Sequence, residues 1–284
     1  MKKYITLFFF FLIFNCYAQV VSNDIQVRIY EAENSNNVLF IFPGFGESIE
    51  HIEQHLNIHG KAIANHISIV YIGFNRRLFL EEEEKRALGK RISSLIQDKF
   101  TDHKAFIGGF SSGGNVALIV SDYLQRANMV SIEGCFIVDA PLDLKNLYKV
   151  NETKIRQNFS KVAVNEARYI NSILSQITIN NYNYFNQNNK ESKLSKSLIS
   201  NTKFLLISEY APLWWKENRG VVLEETNFHT LTLFDEYLRT QKAKVDFQKT
   251  IDKGFRKNGA RHPHSWSILD HNYLINWVLE DKID

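Results

Sequence analysis

The clearest fold signal in this chain is the run Ala105-Phe106-Ile107-Gly108-Gly109-Phe110-Ser111-Ser112-Gly113. Its apolar beginning predicts a buried strand, and residues 115–124 follow it with a helical pattern. The pattern Gly-x-Ser-x-Gly fits this run in one frame, with Ser111 at its centre. Glycines on both sides of the serine allow a tight turn and close packing. We therefore expect a strand, a sharp turn and a helix that present the Ser111 hydroxyl at the end of a sheet.

Other short apolar runs along the chain predict further strands. They cover residues 25–30, 38–42, 67–72, 104–107, 135–138 and 203–207, with 245–247 as a weaker candidate. Several are continuously apolar, which is typical of strands buried on both faces of a parallel sheet. Amphipathic helical patterns lie between and after them, over residues 78–99, 228–241 and 267–279. This alternation predicts an α/β fold with a doubly wound, mostly parallel sheet.

The segment from residue 142 to about residue 200 interrupts the alternation. It is long and polar, with helical patterns and an Asn/Tyr-rich section over residues 180–189. A connection of this length between two strands is unusual. We expect a helical insertion, such as a lid, over one end of the sheet. The alternative is an ordinary crossover helix followed by a disordered tail.

The first 18 residues have the pattern of a secretory signal peptide. Lys2 and Lys3 precede a short apolar core, and Cys16 and Ala18 supply small residues two apart. The apolar core is too short for a comfortable membrane span. We expect cleavage before Gln19, a mature domain over residues 19–284, and a secreted or periplasmic location. The alternative is a lipoprotein anchored through Cys16.

Composition restricts the partners and the source of stability. The chain of 284 residues carries a net charge of +3, and removal of two N-terminal lysines would bring it near +1. This balance favours neither nucleic acid nor an anionic surface as partner. Of the two cysteines, Cys135 alone lies after the expected cleavage point, so the mature chain can form no internal disulfide. We expect an apolar core to stabilise the domain.

Over its whole mature length the chain resembles the α/β-hydrolase superfamily, on the serine motif and the alternating elements. The resemblance implies that Ser111 is the nucleophile of a triad in the order serine, acid, histidine. It also implies two backbone oxyanion donors, one after the nucleophile and one in an earlier loop. The loop Pro43-Gly44-Phe45-Gly46-Glu47 matches, so the donors would be the N–H groups of Phe45 and Ser112. The alternative for this loop is a plain glycine-rich turn.

The resemblance places the catalytic histidine after the last strand. The run Arg261-His262-Pro263-His264-Ser265-Trp266 stands there, and its His-Ser-Trp sequence is similar to one found in secreted esterases of the superfamily. His264 is therefore the expected base, with His262 and His271 as alternatives.

The acid is expected at Glu209, directly after the apolar run that ends at Ser208. Asp139, at the end of the preceding predicted strand, is the alternative acid, and Glu217 and Asp143 are further candidates. The three tryptophans Trp214, Trp215 and Trp266 fit a binding pocket or core packing equally. His51, His55 and His59 are expected on an exposed helix face, since three histidines spread over two turns rarely converge on one ion.

These residues together predict an exported serine hydrolase, a carboxylic ester hydrolase that acts through an acyl-enzyme. No metal and no organic cofactor is expected. The expected partner is a small-molecule ester or acyl substrate, with no nucleic acid and no stable membrane insertion. A serine peptidase is one alternative. A non-catalytic binding protein on a hydrolase scaffold is the other, because a fold does not dictate a function.

The signal-peptide hypothesis predicts the start of the mature chain. N-terminal sequencing of the exported protein should read from Gln19, because the small residues before it suit a signal peptidase. A mature chain that begins at an acylated Cys16 would instead establish the lipoprotein alternative.

Overall fold

The computed structural model describes residues 25–74 and 76–280, and the predicted signal peptide lies outside them. In chain order the strands within these residues are β1 Ile25–Tyr30, β2 Asn37–Phe42, β3 Ile67–Phe74, β4 Lys104–Phe110, β5 Ile132–Val138, β6 Phe185–Asn186, β7 Glu191–Ser192, β8 Lys203–Glu209 and β9 Lys244–Thr250. Seven of them form one sheet in the order β1-β3-β2-β4-β5-β8-β9, and β6 and β7 form a small hairpin. The edge strand β1 is antiparallel to β3, whereas β3, β2, β4, β5, β8 and β9 pair in parallel. The predicted mostly parallel α/β sheet is confirmed.

Helices connect the strands and cover both faces of the sheet. They are α1 Ile49–His55, α2 His59–Ala64, α3 Glu82–Lys99, α4 Ser112–Arg126, α5 Leu144–Gln157, α6 Lys161–Leu174, α7 Ile179–Tyr182, α8 Lys196–Asn201, α9 Pro212–Arg219, α10 Asn227–Thr240 and α11 His271–Leu279. Short 3-10 turns cover Leu223–Glu225 and Trp266–Ile268. The helical pattern over residues 267–279 is thus divided between a 3-10 turn and α11, because the Asp270 side chain caps a new helix.

Strand β2 shows why its run is continuously apolar. Val38, Phe40 and Phe42 pack into the core beneath α3 and α4, while Leu39 and Ile41 pack into the core beneath α1, α2 and α11. All five side chains are buried. Successive strand residues point to opposite faces, so helices on both sides require an apolar residue at every position.

Between β5 and β8 the chain forms α5 to α8 and the small hairpin. The side-chain amide of Asn151 on α5 donates to Asn171 on α6 at 3.0 Å, and Asn171 donates to the carbonyl of Tyr148 at 3.1 Å. The apolar faces of both helices belong to one core cluster, which includes Leu78 and is packed against by Phe45. Helices α5 and α6 therefore lie beside the loop that follows β2.

The turn from β4 into α4 depends on close backbone contact with the end of β2. A Cβ on Gly113 would lie 2.2 Å from the carbonyl oxygen of Pro43 and 2.7 Å from that of Phe42. A Cβ on Gly109 would lie 2.7 Å from the backbone of Gly113. The clashing atoms belong to the backbone and cannot move without disrupting the sheet end or α4, so positions 109 and 113 require glycine.

The close backbone contacts of Gly113 predict that a methyl group added there will destabilise the folded protein. Gly113→Ala should lower the free energy of unfolding by about 1–3 kcal/mol, as overpacking does elsewhere. Gly60→Ala is the matched control, because a Cβ at Gly60 in α2 meets nothing within 4 Å. The control should be neutral or slightly stabilising. Urea unfolding measures both changes, and equal midpoints for the two variants would contradict the packing argument.

Candidate active site

Ser111 occupies the sharp turn between β4 and α4. Its backbone has φ 54° and ψ −127°, a conformation that L residues rarely adopt. The Ser111 N–H donates to the carbonyl of Val138 at 2.8 Å, and its carbonyl accepts from the N–H of Gly114 at 2.9 Å. The strained backbone is thus held from both sides, as residues at functional turns often are.

A hydrogen-bonded line joins Ser111, His264 and Asp139. The Ser111 hydroxyl lies 3.1 Å from His264 Nε2, and His264 Nδ1 lies 2.5 Å from a carboxylate oxygen of Asp139. Since an ionised carboxylate can only accept, Nδ1 carries the proton and Nε2 is left to accept from the serine hydroxyl. The arrangement can remove a proton from Ser111 and stabilise the imidazolium that results.

Asp139 is fixed in the turn that follows β5. Its backbone has a φ of 46°, and its N–H donates to the carbonyl of Ile207 at 2.8 Å. The Ser208 hydroxyl donates to its second carboxylate oxygen, and the Asn227 amide donates to its carbonyl at 2.8 Å. Asp139 is buried, and these contacts leave one oxygen directed at the histidine.

Glu209, the expected acid, is not among the hydrogen-bond partners of His264 in the part of the chain that the structure describes; Asp139, the alternative, is. Glu209 accepts from the Arg261 guanidinium and from the N–H groups of Lys253 and Gly254, at 3.1 and 2.5 Å for the two N–H groups. Burial raises the pKa of Glu209, an effect that Arg261 partly offsets. The side chain instead fastens the loop before the histidine to the end of β8.

The other candidates for acid and base have contacts of their own. Asp143 caps α5 by accepting from the N–H groups of Lys145 and Asn146, and Glu217 is exposed on α9. His262 donates from Nδ1 to the carbonyl of His264 at 2.8 Å, which supports the loop rather than the serine. His271 is the first residue of α11.

The loop after β2 is joined to the histidine loop by Glu47. One Glu47 oxygen accepts from the N–H of Gly44 at 2.7 Å and from the indole N–H of Trp266 at 3.1 Å. Gly46 has φ 80°, which favours glycine. Sequence reasoning gave Glu47 no role, since its partner Trp266 is remote in the chain. This carboxylate sets the loop that contains Phe45 against the loop that contains His264.

The two expected oxyanion donors are the backbone N–H groups of Ser112, which follows the serine in the chain, and of Phe45, in the loop after β2. Ser112 is the first residue of α4, where backbone N–H groups have no acceptor within the helix and favour negative charge. Phe45 belongs to the loop fastened by Glu47 and lines the same cleft as Ser111. An anion formed next to Ser111 could be stabilised by these N–H groups.

The cleft above Ser111 has a volume of about 820 Å³. Phe110, His264 and Trp266 form an aromatic floor, with ring centroids of Phe110 at 4.4 Å from His264 and 5.0 Å from Trp266. Val162 and Ala163 of α6 line one side. Trp266 thus both packs in the core and borders the cleft. Trp214 and Trp215 instead pack against His262, at 5.0 and 6.0 Å between centroids.

The three spaced histidines do not converge. His51 and His55 stack at 3.7 Å on α1 and border the cleft, whereas His59 belongs to α2 and stacks on Tyr30 at 4.6 Å. All three are half-buried, so the expected exposed face is wrong. Within residues 25–74 and 76–280, no group of three or more potential ligand side chains is arranged to hold a metal ion. Nor does any helix in those ranges have the length and apolar character needed to cross a membrane.

Comparison with solved structures identifies the fold. Carboxyl esterase 2 from the fungus Tuber melanosporum superimposes with a TM-score of 0.59 at 11% identity, covering 89% of this chain and 80% of its own. An S-formylglutathione hydrolase from Agrobacterium tumefaciens gives 0.53 at 12%, covering 90% of each chain. An esterase from the bacterial hormone-sensitive lipase family gives 0.54 at 12%, covering 93% and 87%. The chain has the α/β-hydrolase fold.

Sequence comparison adds no nearer relative. No family model matches the chain, and no curated protein matches it.

The burial of His262 predicts a pH dependence of stability. Burial, followed by the nearby positive charges, lowers the pKa of His262 to about 4. On acidification the His262 imidazole of the unfolded chain takes up a proton near pH 6.5, whereas that of the folded chain does so only near pH 4. The contribution to stability is therefore fully present above pH 6.5 and is lost as the pH falls towards 4. Between pH 7 and pH 5 this group should remove about 2 kcal/mol from the free energy of unfolding.

His262→Gln should show this loss reduced by a similar amount, because glutamine keeps an N–H donor without titrating. Urea unfolding of both proteins at pH 7 and pH 5 measures the difference. An identical loss in wild type and variant would contradict the assignment.

Proposed function

We propose that this protein is a serine hydrolase of carboxylic esters that acts through an acyl-enzyme. The observation that carries the proposal is the line from the Ser111 hydroxyl through His264 to Asp139. A serine hydroxyl is a weak nucleophile, and it needs a positioned base of this kind. Asp139 takes the place of the acid in the expected triad.

The first half of the reaction forms the acyl-enzyme. His264 Nε2 removes the proton as Ser111 Oγ attacks the ester carbonyl, while Asp139 holds the Nδ1–H and stabilises the imidazolium. The N–H groups of Phe45 and Ser112 stabilise the oxyanion of the tetrahedral intermediate. The bond to the alcohol oxygen then breaks, and His264 returns its proton to the departing alcohol.

The second half releases the acid. Water attacks the acyl-enzyme carbonyl while His264 Nε2 takes one of its protons. The same N–H groups stabilise the second oxyanion, and its collapse breaks the bond to Ser111 Oγ. His264 then returns the proton to Oγ, which restores the free enzyme. All the groups in this cycle are supplied by the chain, so the proposal invokes no cofactor.

Two observations favour an ester as the substrate class. Aromatic side chains line the cleft, and the neighbours in fold include a carboxyl esterase and an S-formylglutathione hydrolase. We place the activity outside the cytoplasm on the signal-peptide pattern of residues 1–18, with Cys16 as the alternative anchor point. Small-molecule esters are the proposed partners.

Three variants test the assignment of roles. Ser111→Ala should lower kcat by at least about a thousandfold, and Asp139→Asn by at least about a hundredfold, because an asparagine favours the wrong imidazole tautomer. Glu209→Gln should stay within about tenfold of wild type in kcat while losing about 2 kcal/mol of stability, since it weakens the contact with Arg261. Hydrolysis of short-chain esters and urea unfolding provide the two measurements.

Fluorophosphonate labelling is the control for the nucleophile. Wild type should be labelled and Ser111→Ala should not; equal labelling, or none in wild type, would defeat the proposal. Matched butyrate esters and anilides then separate esterase from peptidase. A large Asp139→Asn effect on esters with a small Glu209→Gln effect supports Asp139, and the reverse ranking would reinstate Glu209.

A further inference from the structure

The side of the cleft next to His264 is lined by cationic residues. Arg219 ends α9, and Arg256 and Lys257 lie in the loop after β9; all three line the cleft with Ser111. Among the residues that the structure describes, none of the three forms an ion pair with a carboxylate. Arg219 donates to the carbonyl of Asn218 at 2.8 Å. Positive charges gathered at a cleft without carboxylate partners attract an anion.

The carboxylates of the cleft do not neutralise this group. One Glu47 oxygen accepts from Gly44 and Trp266, and the other pairs with His51 at 3.0 Å. The charge of Glu166 raises the pKa of Arg219, but it raises the pKa of Lys154 as well. The negative charge of Glu166 is thus shared between Arg219 and Lys154, and Arg256 and Lys257 remain available to bind an anionic ligand.

The cations lie close to the reacting groups. Arg219 and Arg256 both help to lower the pKa of His262, whose ring centroid is 6.4 Å from that of His264. The Arg219 guanidinium is 5.0 Å from the centre of the Trp214 ring, and that ring is 5.0 Å from His262. Burial and the like charge of Arg256 lower the pKa of Arg219 as well. A bound anion would relieve this repulsion beside the catalytic histidine.

The loop that holds Arg256 and Lys257 is fixed before any ligand arrives. The N–H of Arg256 donates to the carbonyl of Ala260 at 2.8 Å, and the N–H of Phe255 donates to the Ser267 hydroxyl at 2.6 Å. Arg261, at the end of the same loop, is fastened to buried Glu209. A preorganised loop loses little entropy when it binds, which favours affinity.

We propose that the cleft selects esters carrying a second, anionic group, a carboxylate or a phosphate, which Arg219, Arg256 and Lys257 bind. This inference rests on the proposed esterase function and names its substrate class. Arginine pairs with either anion through two parallel N–H donors. Phe255 and Val162, 43% and 77% exposed, border the same cleft, so an apolar linker between ester and anion suits it.

Two matched ester pairs test the inference, with the charge in the acyl or the alcohol part. They are ethyl valerate against monoethyl glutarate, and butyl acetate against 4-acetoxybutanoate. Wild type should prefer the anionic member of at least one pair in kcat/KM, and R256Q/K257Q should reduce that rate about fivefold to twentyfold. The neutral esters should change less than about twofold, because these side chains meet no charge on them.

K90Q/R91Q is the matched control, because it removes the same charges from α3, outside the cleft lining. It should leave both pairs unchanged. Ethyl 4-phosphonobutanoate distinguishes phosphate from carboxylate, and a preference for either supports the inference. No preference for an anion in either pair, or an equal loss on neutral and anionic esters, would overturn it.

A binding measurement keeps this test separate from the proposed function. Ser111→Ala would be titrated calorimetrically with glutaric acid monoanilide and with valeranilide. Tighter binding of the anionic anilide that disappears when R256Q/K257Q is added supports the anion site even if no ester is turned over. Equal binding of both anilides would exclude the site even if neutral esters are hydrolysed.

Discussion

The contact between His264 and Asp139 is the constraint on which the candidate site depends. It joins residues 125 positions apart, and it fixes which imidazole nitrogen faces Ser111. The two residues that His264 joins each occupy a strained turn. Asp139 and Ser111 both have positive φ, and the Val138 carbonyl accepts from the Ser111 N–H. Backbone strain at two adjacent strand ends is therefore stabilised by one shared network, since a buried polar group is costly unless it is bonded.

Two buried carboxylates at the end of the sheet, Asp139 and Glu209, have different structural roles. Asp139 orients the histidine ring, whereas Glu209 fastens the loop that brings the ring there. The loop also presents Arg256 and Lys257 to the cleft. Glu209 is thus connected to the proposed anion site as well as to the histidine, because one buried ion pair with Arg261 anchors both.

Much of the fold was readable from local pattern. Five consecutive apolar residues of β2 indicate a strand that is covered by helices on both faces. The glycines around Ser111 indicate a tight turn, and Gly113 is required where that turn meets the backbone of Pro43. The position of His264 was also expected, on its place after the last strand. Local pattern did not distinguish Glu209, the last residue of β8, from Asp139, the first residue after β5, although of the two it is Asp139 that is hydrogen-bonded to His264.

By itself the sequence determined the order of strands and helices along the chain and the sharp turn at Ser111, since both depend on neighbours in the chain. The expected position of His264 came from the resemblance to the α/β-hydrolase superfamily. Tertiary structure alone decided that His264 meets Asp139, that Glu209 meets Arg261, and that Glu47 joins two distant loops. These three contacts depend on how far each loop extends across the end of the sheet. That reach is set by packing between segments that are remote in the chain, and no local pattern records it.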